Sequence, residues 1–418
     1  MNKKLWIVVL TIAALLQLGV QVGHVVAQAV ANPLQQIKAD VVYLSSDYLE
    51  GREAGTQGEK LAADYIAWRF AQIGLQPRGH EGSWFHEFDF NFNTNPHAQG
   101  GEARTGRNVV GFIDNGAPTT VVIGAHYDHL GYGAFGSLYT GEPAIHNGAD
   151  DNASGVAAML RIAEHLWQSG AAKSNNYLFL AFSAEELGLV GSKKWVNDPT
   201  LALGSINYMF NLDMVGRLNE EKSLLITGTG TSPSWAPVLA QLKVAGIQIR
   251  SSESGVGPSD HTSFYLQNMP VLSFFTGQHS DYHKPVDDAH LINYQGIYDI
   301  TQLAVAIIEQ TSEAGKLAFT PTKDENENKQ AARFEVSLGV MPDYVYGGTG
   351  LRVDSVIEGR VGAKAGIKAG DVIVKLGDKE ISDIYTYMEG LASFQTGNST
   401  TVVVKRGESE ISMPVKFE

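Results

Sequence analysis

The chain has 418 residues, 44% of them hydrophobic and 18% charged, with a formal net charge of −14. That length and apolar content fit two or three domains with real cores and exclude disorder over most of the chain. The acidic balance, with no Lys/Arg run to displace phosphate counterions, argues against a nucleic-acid partner. The chain has no cysteine, so disulfides, catalytic thiols and thiolate metal sites are excluded. Any bound metal must be held by His, Asp or Glu.

Residues 1–29 read as an export signal: Lys3 and Lys4, an apolar run from Leu5 to Leu18, and a small-residue cleavage site at Ala27-Gln28-Ala29. The rival reading is a membrane anchor, against which Gln17, Gln21 and His24 interrupt the run. After cleavage no stable membrane insertion is expected.

Leu34, Ile37, Val41 and Leu44 fall at helical spacing, as do Ala62, Tyr65, Ile66 and Phe70 before Gly74. The glycines of Glu50-Gly51-Arg52-Glu53-Ala54-Gly55 mark a loop between them, and residues 78–105 read as a peripheral hairpin or loop. Strands are then predicted over 119–125, 177–182, 208–212 and 271–275, and helices over 156–167, 235–244 and 292–311. Such alternation predicts an α/β fold, a largely parallel mixed β-sheet flanked by helices, whose chemistry collects at the carboxyl ends of the strands. The charged run Lys323–Lys329 marks a linker over 316–332 between a first domain, 30–315, and a small β-rich unit, 333–418.

Each predicted strand end delivers groups of metal-ligand type. His126 and Asp128 are two apart in an extended segment and face the same way; a ligating imidazole needs an acceptor on its other nitrogen, which a nearby carboxylate supplies. Asp150 and Asp151 precede a helix, where Asn152 or Ser154 would already serve as the cap. Glu185-Glu186 follows an apolar strand, and adjacent side chains point apart, so one can bind metal while the other handles a proton. Asp213 and His283 end the series, the latter in Ser280-Asp281-Tyr282-His283-Lys284-Pro285. Singly, each segment also reads as an ordinary loop or helix cap.

Taken in order, His-x-Asp, Asp-Asp-Asn-x-Ser-Gly, Glu-Glu-x-Gly, Asn-Leu-Asp-Met and Tyr-His-x-Pro resemble the motifs of the co-catalytic di-zinc aminopeptidases, zinc exopeptidases related to glutamate carboxypeptidase and glutaminyl cyclase. The likeness runs from about Val41 to Thr311 and takes in Glu50-Gly51-Arg52 and Gly74-Leu75-Gln76-Pro77. It implies two Zn²⁺ per chain bridged by Asp150, with His126 and Asp213 completing one site and Glu186 and His283 the other. It also implies Glu185 as general base and acid, Asp128 orienting His126, Tyr282 at the tetrahedral intermediate, and a cis peptide at Asp150–Asp151. Manganese or cobalt could substitute for zinc. The expected activity is removal of N-terminal residues from peptide substrates. A carboxypeptidase or other amidohydrolase on the same scaffold would need a cationic clamp, for which Arg217 and Arg250 are candidates; a non-catalytic peptide-binding protein is the alternative of another class.

Among the remaining histidines, His261 in Ser259-Asp260-His261 is a candidate pocket residue, whereas His129, His146 and His279 read as solvated loop residues. Asp287 supports His283 or starts a helix. In the C-terminal unit, Ser337-Leu338-Gly339-Val340, Gly350-Leu351-Arg352-Val353 and Ala363-Lys364-Ala365-Gly366 through Asp371-Val372-Ile373 resemble a PDZ domain. The likeness puts a C-terminal peptide or protein partner at the loop Ser337, Leu338, Gly339 and Val340.

Overall fold

The computed structural model describes residues 32–93, 101–322, 336–343, 346, 348–357, 359–407 and 409–417. The export signal and the charged run Lys323–Lys329 lie outside the described residues. The first domain runs α1 (Pro33–Leu44), α2 (Gln57–Ile73), β1 (Gln76–Pro77), β2 (Phe85–Phe92), β3 (Glu102–Ile113), β4 (Thr120–His126), α3 (Gly155–Ser169), β5 (Asn176–Phe182) and α4 (Val190–Asn197). It continues with β6 (Ile206–Leu212), β7 (Ser223–Thr227), α5 (Trp235–Gln241), β8 (Gln248–Ser251), α6 (His261–Tyr265), β9 (Val271–Phe275) and α7 (Tyr294–Thr311). Caps set the helix ends: the Asn32 side chain accepts from Leu34 N ahead of a proline in the first turn, and Gly74 closes α2 in the left-handed region, φ 107°.

The sheet order is β1-β3-β5-β4-β6-β9-β7-β8, with β2 pairing β3 in a hairpin. The central strands β5, β4, β6 and β9 are parallel, as expected; β3 and β7 join them antiparallel. Because side chains alternate across a strand, each central strand feeds two cores. Val121, Ile123, Phe179 and Phe210 pack with Val41, Phe70, Leu160 and Ile300 of α1, α2, α3 and α7. Val122, Leu178, Leu180 and Met209 pack on the other face with Trp195 of α4 and Phe264 of α6. The short strands β7 and β8 were not anticipated; β7 is mostly buried and β8 largely exposed.

The opening residues of the expected linker are docked. Leu317 is buried and its N–H donates to Asn207 Oδ1 at 2.7 Å, while Thr320 N reaches Thr231 O at 2.8 Å and Thr322 N reaches the Tyr265 hydroxyl at 3.0 Å. The C-terminal unit has its own core, including Leu338, Val353, Ile373, Val402, Val404 and Phe417. Its antiparallel sheet runs β10 (Val340–Pro342), β11 (Leu351–Val356), β12 (Val372–Leu376), β14 (Ser399–Arg406), β15 (Ser409–Lys416), with β13 (Lys379–Glu380) on β12. Among the described residues no helix is long and apolar enough to cross a membrane.

Arg52 fastens the loops below the carboxyl edge of the sheet. It is 1% exposed, and its guanidinium donates to Tyr127 O at 2.7 Å, Asn147 O at 2.7 Å, Gly148 O at 3.1 Å and the Leu44 carbonyl. Burial lowers it to about 10, so it stays charged at neutral pH. Gly51 beside it has φ 69°, and a Cβ there would meet Gly131 O at 2.6 Å and His146 O at 2.7 Å, which only glycine avoids. Arg52→Met leaves these carbonyls unpaired and should cost on the order of 3 kcal/mol or more. Urea unfolding of the variant measures this; an unchanged midpoint at equal slope would show that the guanidinium is not what holds the loops.

Candidate metal centre

His126 is the last residue of β4, Glu185 and Glu186 follow β5, Asp213 follows β6, and His283 lies on the segment after β9. Four neighbouring parallel strands therefore deliver their chemistry to one edge of the sheet. Ala184, Met214 and His283 take positive φ, 56°, 49° and 54°, turning the chain sharply beside three of these groups.

The residue at the centre is Asp151, not Asp150. His126 Nε2 lies 3.2 Å from Asp151 Oδ1 and 3.5 Å from Asp213 Oδ1. On the other side His283 Nε2 is 3.2 Å from Asp151 Oδ2 and 3.2 Å from Glu186 Oε2. Each oxygen of Asp151 thus faces a different histidine. The cis peptide is likewise one residue on, at Asp151–Asn152. Asp150 is turned away: its Oδ1 accepts from Gly216 N at 2.6 Å and Ser154 Oγ at 3.0 Å, and its Oδ2 lies 3.1 Å from His279 Nε2. Two successive aspartates before a helix look alike in sequence; the glycine and serine that engage Asp150 decide between them.

The tautomers decide what can sit between these groups. His283 Nδ1 donates to Gly136 O at 2.8 Å, and His126 Nδ1 is 3.2 Å from Asp128 O. Each Nε2 is then the ring atom that faces two carboxylates and, in the neutral ring, carries the lone pair; His283 Nε2 is buried without a hydrogen-bond partner. Neutral rings and carboxylates at this spacing can hold a metal cation between them. Metal–ligand bonds of about 2.0–2.1 Å in tetrahedral geometry separate ligand atoms by about 3.3 Å, matching all four separations. The residues fit two metal ions, His126, Asp151 and Asp213 at one and Asp151, Glu186 and His283 at the other.

The carboxylates demand positive charge, which a proton on the imidazole or a metal ion between the groups can supply. Burial lowers His283, but Glu186 and Asp151 outweigh it and hold it up at about 11; burial raises Glu186, yet His283 and His129 bring it to about 2. Glu185, 9% exposed, is pushed well above the usual carboxylate range by burial, opposed by His126 and reinforced by Asp260 and Asp213. Asp128 does more than face His126: its Oδ1 accepts from Glu185 N at 3.0 Å and its Oδ2 from Glu186 N at 3.4 Å. Tyr282 stacks on the His283 ring, centroids 3.8 Å apart.

Several neighbours carried too little sequence signal. Asp287 is fully buried, and its Oδ2 accepts from Asp150 N at 2.9 Å and Asp151 N at 3.1 Å, so it supports Asp151 rather than His283. None of the three histidines expected in solvent is there. His129 and His146 are buried, the latter between Ser137 Oγ and Ala144 O, and His279 is mostly covered beside Asp150. His261 is buried with neither ring nitrogen hydrogen-bonded, and burial lowers it to about 4, so it is neutral. His80, His86 and Asp198 also cluster. However, Asn108 Nδ2 donates to His86 Nδ1 at 3.2 Å and its orientation is fixed by Ser183 N and Gly191 O. His86 Nε2 must therefore carry the proton it donates to Asp198 O, and it has no lone pair for a metal.

A mixed sheet thus carries two adjoining sets of metal-ligand side chains at its carboxyl edge. Residues 108–308 match peptidase family M28 and residues 319–417 match the PDZ domain, the two likenesses expected from the sequence and in the same order. It is 28% identical over 262 residues to leupeptin-inactivating enzyme 1 of Streptomyces exfoliatus, covering 62% of this chain and 52% of that one. It is 29% identical over 218 residues to aminopeptidase YwaD of Bacillus subtilis, covering 49% and 44%. The chain spans about half the length of these curated relatives. The crystal structure of BSAP, a zinc aminopeptidase from Bacillus subtilis, shares the fold at a TM-score of 0.52 and 18% identity, covering 68% of this chain and 98% of that one.

The geometry separates the two aspartates by experiment. Asp151→Asn should lose both metal equivalents, and Asp150→Asn should keep them, as read by metal analysis of the dialysed proteins. The reverse pattern would restore Asp150 as the bridge.

Proposed function

We propose that this chain is an exported zinc aminopeptidase that binds two Zn²⁺ and removes N-terminal residues from peptides. The observation that carries the reading is the pair of ligand sets sharing Asp151, with Glu185 beside them and outside both. A zinc pair supplies Lewis acidity toward the scissile carbonyl and lowers the pKa of water toward neutrality. Glu185, buried and fixed through its backbone by Asp128, accepts the proton of the attacking water and delivers it to the departing amine. Asp128 holds His126 and both glutamates in register. Tyr282 donates its hydroxyl to the oxyanion.

Two observations favour an aminopeptidase over a carboxypeptidase. Arg217 is already taken: its Nη2 lies 2.5 Å from Asp281 Oδ2, with Asp287 at 3.9 Å. Arg250 is on β8, at the outer edge of the sheet. The groups around the metal ligands are carboxylates, including Glu185 and Asp260, which suit a free α-amine. Relatives named aminopeptidases, among them the probable lipoprotein aminopeptidase LpqL of Mycobacterium tuberculosis at 30% identity over 187 residues, support the same reading. Export rests on Lys3, Lys4 and the apolar run that follows.

The PDZ domain is proposed to position long peptide substrates or a protein partner at Ser337, Leu338, Gly339 and Val340. There the Ser337 hydroxyl accepts from Gly339 N at 2.9 Å, and Gly339 takes φ 68°. Its boundary with the peptidase domain falls after Thr322, given the docking of residues 316–322.

Glu185→Ala should keep both zinc equivalents and lose at least about 100-fold in turnover; normal turnover would remove Glu185 from its role. Cleavage of aminoacyl but not N-blocked substrates, abolished by chelator, tests the peptide end recognised; cleavage of N-blocked substrates from their carboxyl end would favour the carboxypeptidase. Deleting residues 333–418 should slow hydrolysis of long peptides more than of small chromogenic substrates, and equal effects would detach the PDZ domain from substrate handling.

A further inference from the structure

His129 is the residue after Asp128, and its side chain is completely buried beside the second ligand set. Its Nδ1 lies 2.7 Å from Glu186 Oε1 and 4.0 Å from Asp151 Oδ2. Those two distances rule it out as another ligand. Ligand atoms around one zinc stand about 3.3 Å apart, as His283 stands from Asp151 and Glu186, whereas 2.7 Å is a hydrogen bond and 4.0 Å is too far. His129 is therefore a donor to Glu186.

We propose that His129 is a positioning residue for the second metal: its Nδ1–H engages Glu186 Oε1, leaving only Oε2, the oxygen 3.2 Å from His283 Nε2, to bind the ion. This rests on the two-metal reading above. A glutamate free to turn binds one ion through both oxygens and fills the position that substrate must occupy; one held by a donor binds through a single oxygen.

The surroundings hold the ring in that role. His129 N donates to Arg52 O at 3.2 Å, and the ring meets the edge of His283 at 72°, with centroids 5.7 Å apart. Gly148, at φ 56°, lets the backbone close on it; a Cβ there would lie 2.5 Å from His129 Cδ2. With Nδ1 donating, Nε2 carries the lone pair, and it is buried with no hydrogen-bond partner among the described residues. Phe92, Leu130, Phe135 and Leu187 line the small pocket beside it, together with the carboxylates Glu53, Asp128 and Glu186.

The experiment is zinc titration of the chelator-stripped full chain against a competing chelator dye. Wild type should bind two equivalents. His129→Ala should keep the first and weaken the second by about 10–100-fold. His129→Asn should recover most of that loss, because its amide nitrogen stands the same number of bonds from the backbone as Nδ1. An alanine variant that binds the second equivalent as wild type does, an equal weakening of both equivalents, or an asparagine variant no better than alanine would each overturn the proposal. Wild type binding fewer than two equivalents would overturn the two-metal reading itself, and the proposal with it.

Discussion

The structure depends on keeping several carboxylates together in a buried space. Asp128, Asp151, Glu185, Glu186 and Asp213 converge there, with Asp260 and Asp287 close behind. Buried like charges repel strongly, and each loses hydration worth several kcal/mol unless a partner replaces it. Arg52 supplies one positive charge from beneath, acting on Asp128, Asp151, Asp287 and Glu186. One guanidinium cannot balance the set. The remaining compensation must come from protonating the imidazoles or from metal ions between them. The hydrogen bonds on the far side of His126 and His283 aim each Nε2 at the carboxylates, where a metal ion can take the place of a proton.

The ligand loops are tied to one another by side chains that hold backbone rather than metal. Asp128 joins the end of β4 to the turn after β5 through Glu185 N and Glu186 N. The Asn152 carboxamide joins the start of α3 to the end of β6, accepting from Gly155 N and Met214 N and donating to Leu212 O. Asp287 joins the His283 segment to Asp150 and Asp151. Hydrogen bonds to a buried charged group are worth about 1.5–3 kcal/mol each. A few of them fix four strand ends to within the tolerance that a metal demands.

What was legible in the sequence followed from local pattern. Apolar strands running directly into His126, Glu185-Glu186 and Asp213 announce both the sheet and its reactive edge. Asp151 was not separable from Asp150, because the choice depends on which carboxylate Gly216 and Ser154 engage across the fold. His129 was missed for a related reason: a histidine in a polar loop reads as solvated, and only tertiary packing buries it; Asp287 was a candidate support, but its partners, Asp150 N and Asp151 N, are set across the fold. The strands β7 and β8 escaped because both are short: β7 has only Leu224, Leu225 and Ile226 as its apolar run, and β8 is largely exposed. The docking of residues 316–322 escaped because isolated residues such as Leu317 and Thr320 carry no periodicity.

The two adjacent aspartates resolve into a division of labour that a single carboxylate could not perform. Asp151 presents one oxygen to each metal position and so cannot also fasten the loops around it. Asp150 does that: through Gly216 it grips the turn after Asp213, and through His279 it grips the segment that carries His283. Arg217, from the turn after Asp213, reaches Asp281 on that same segment and closes the connection. The distance between Asp151 and His283 is therefore set by the residue next to Asp151, through hydrogen bonds in which none of the proposed ligands takes part. A binding set held this way is preorganised, and metal affinity is not spent on gathering the loops.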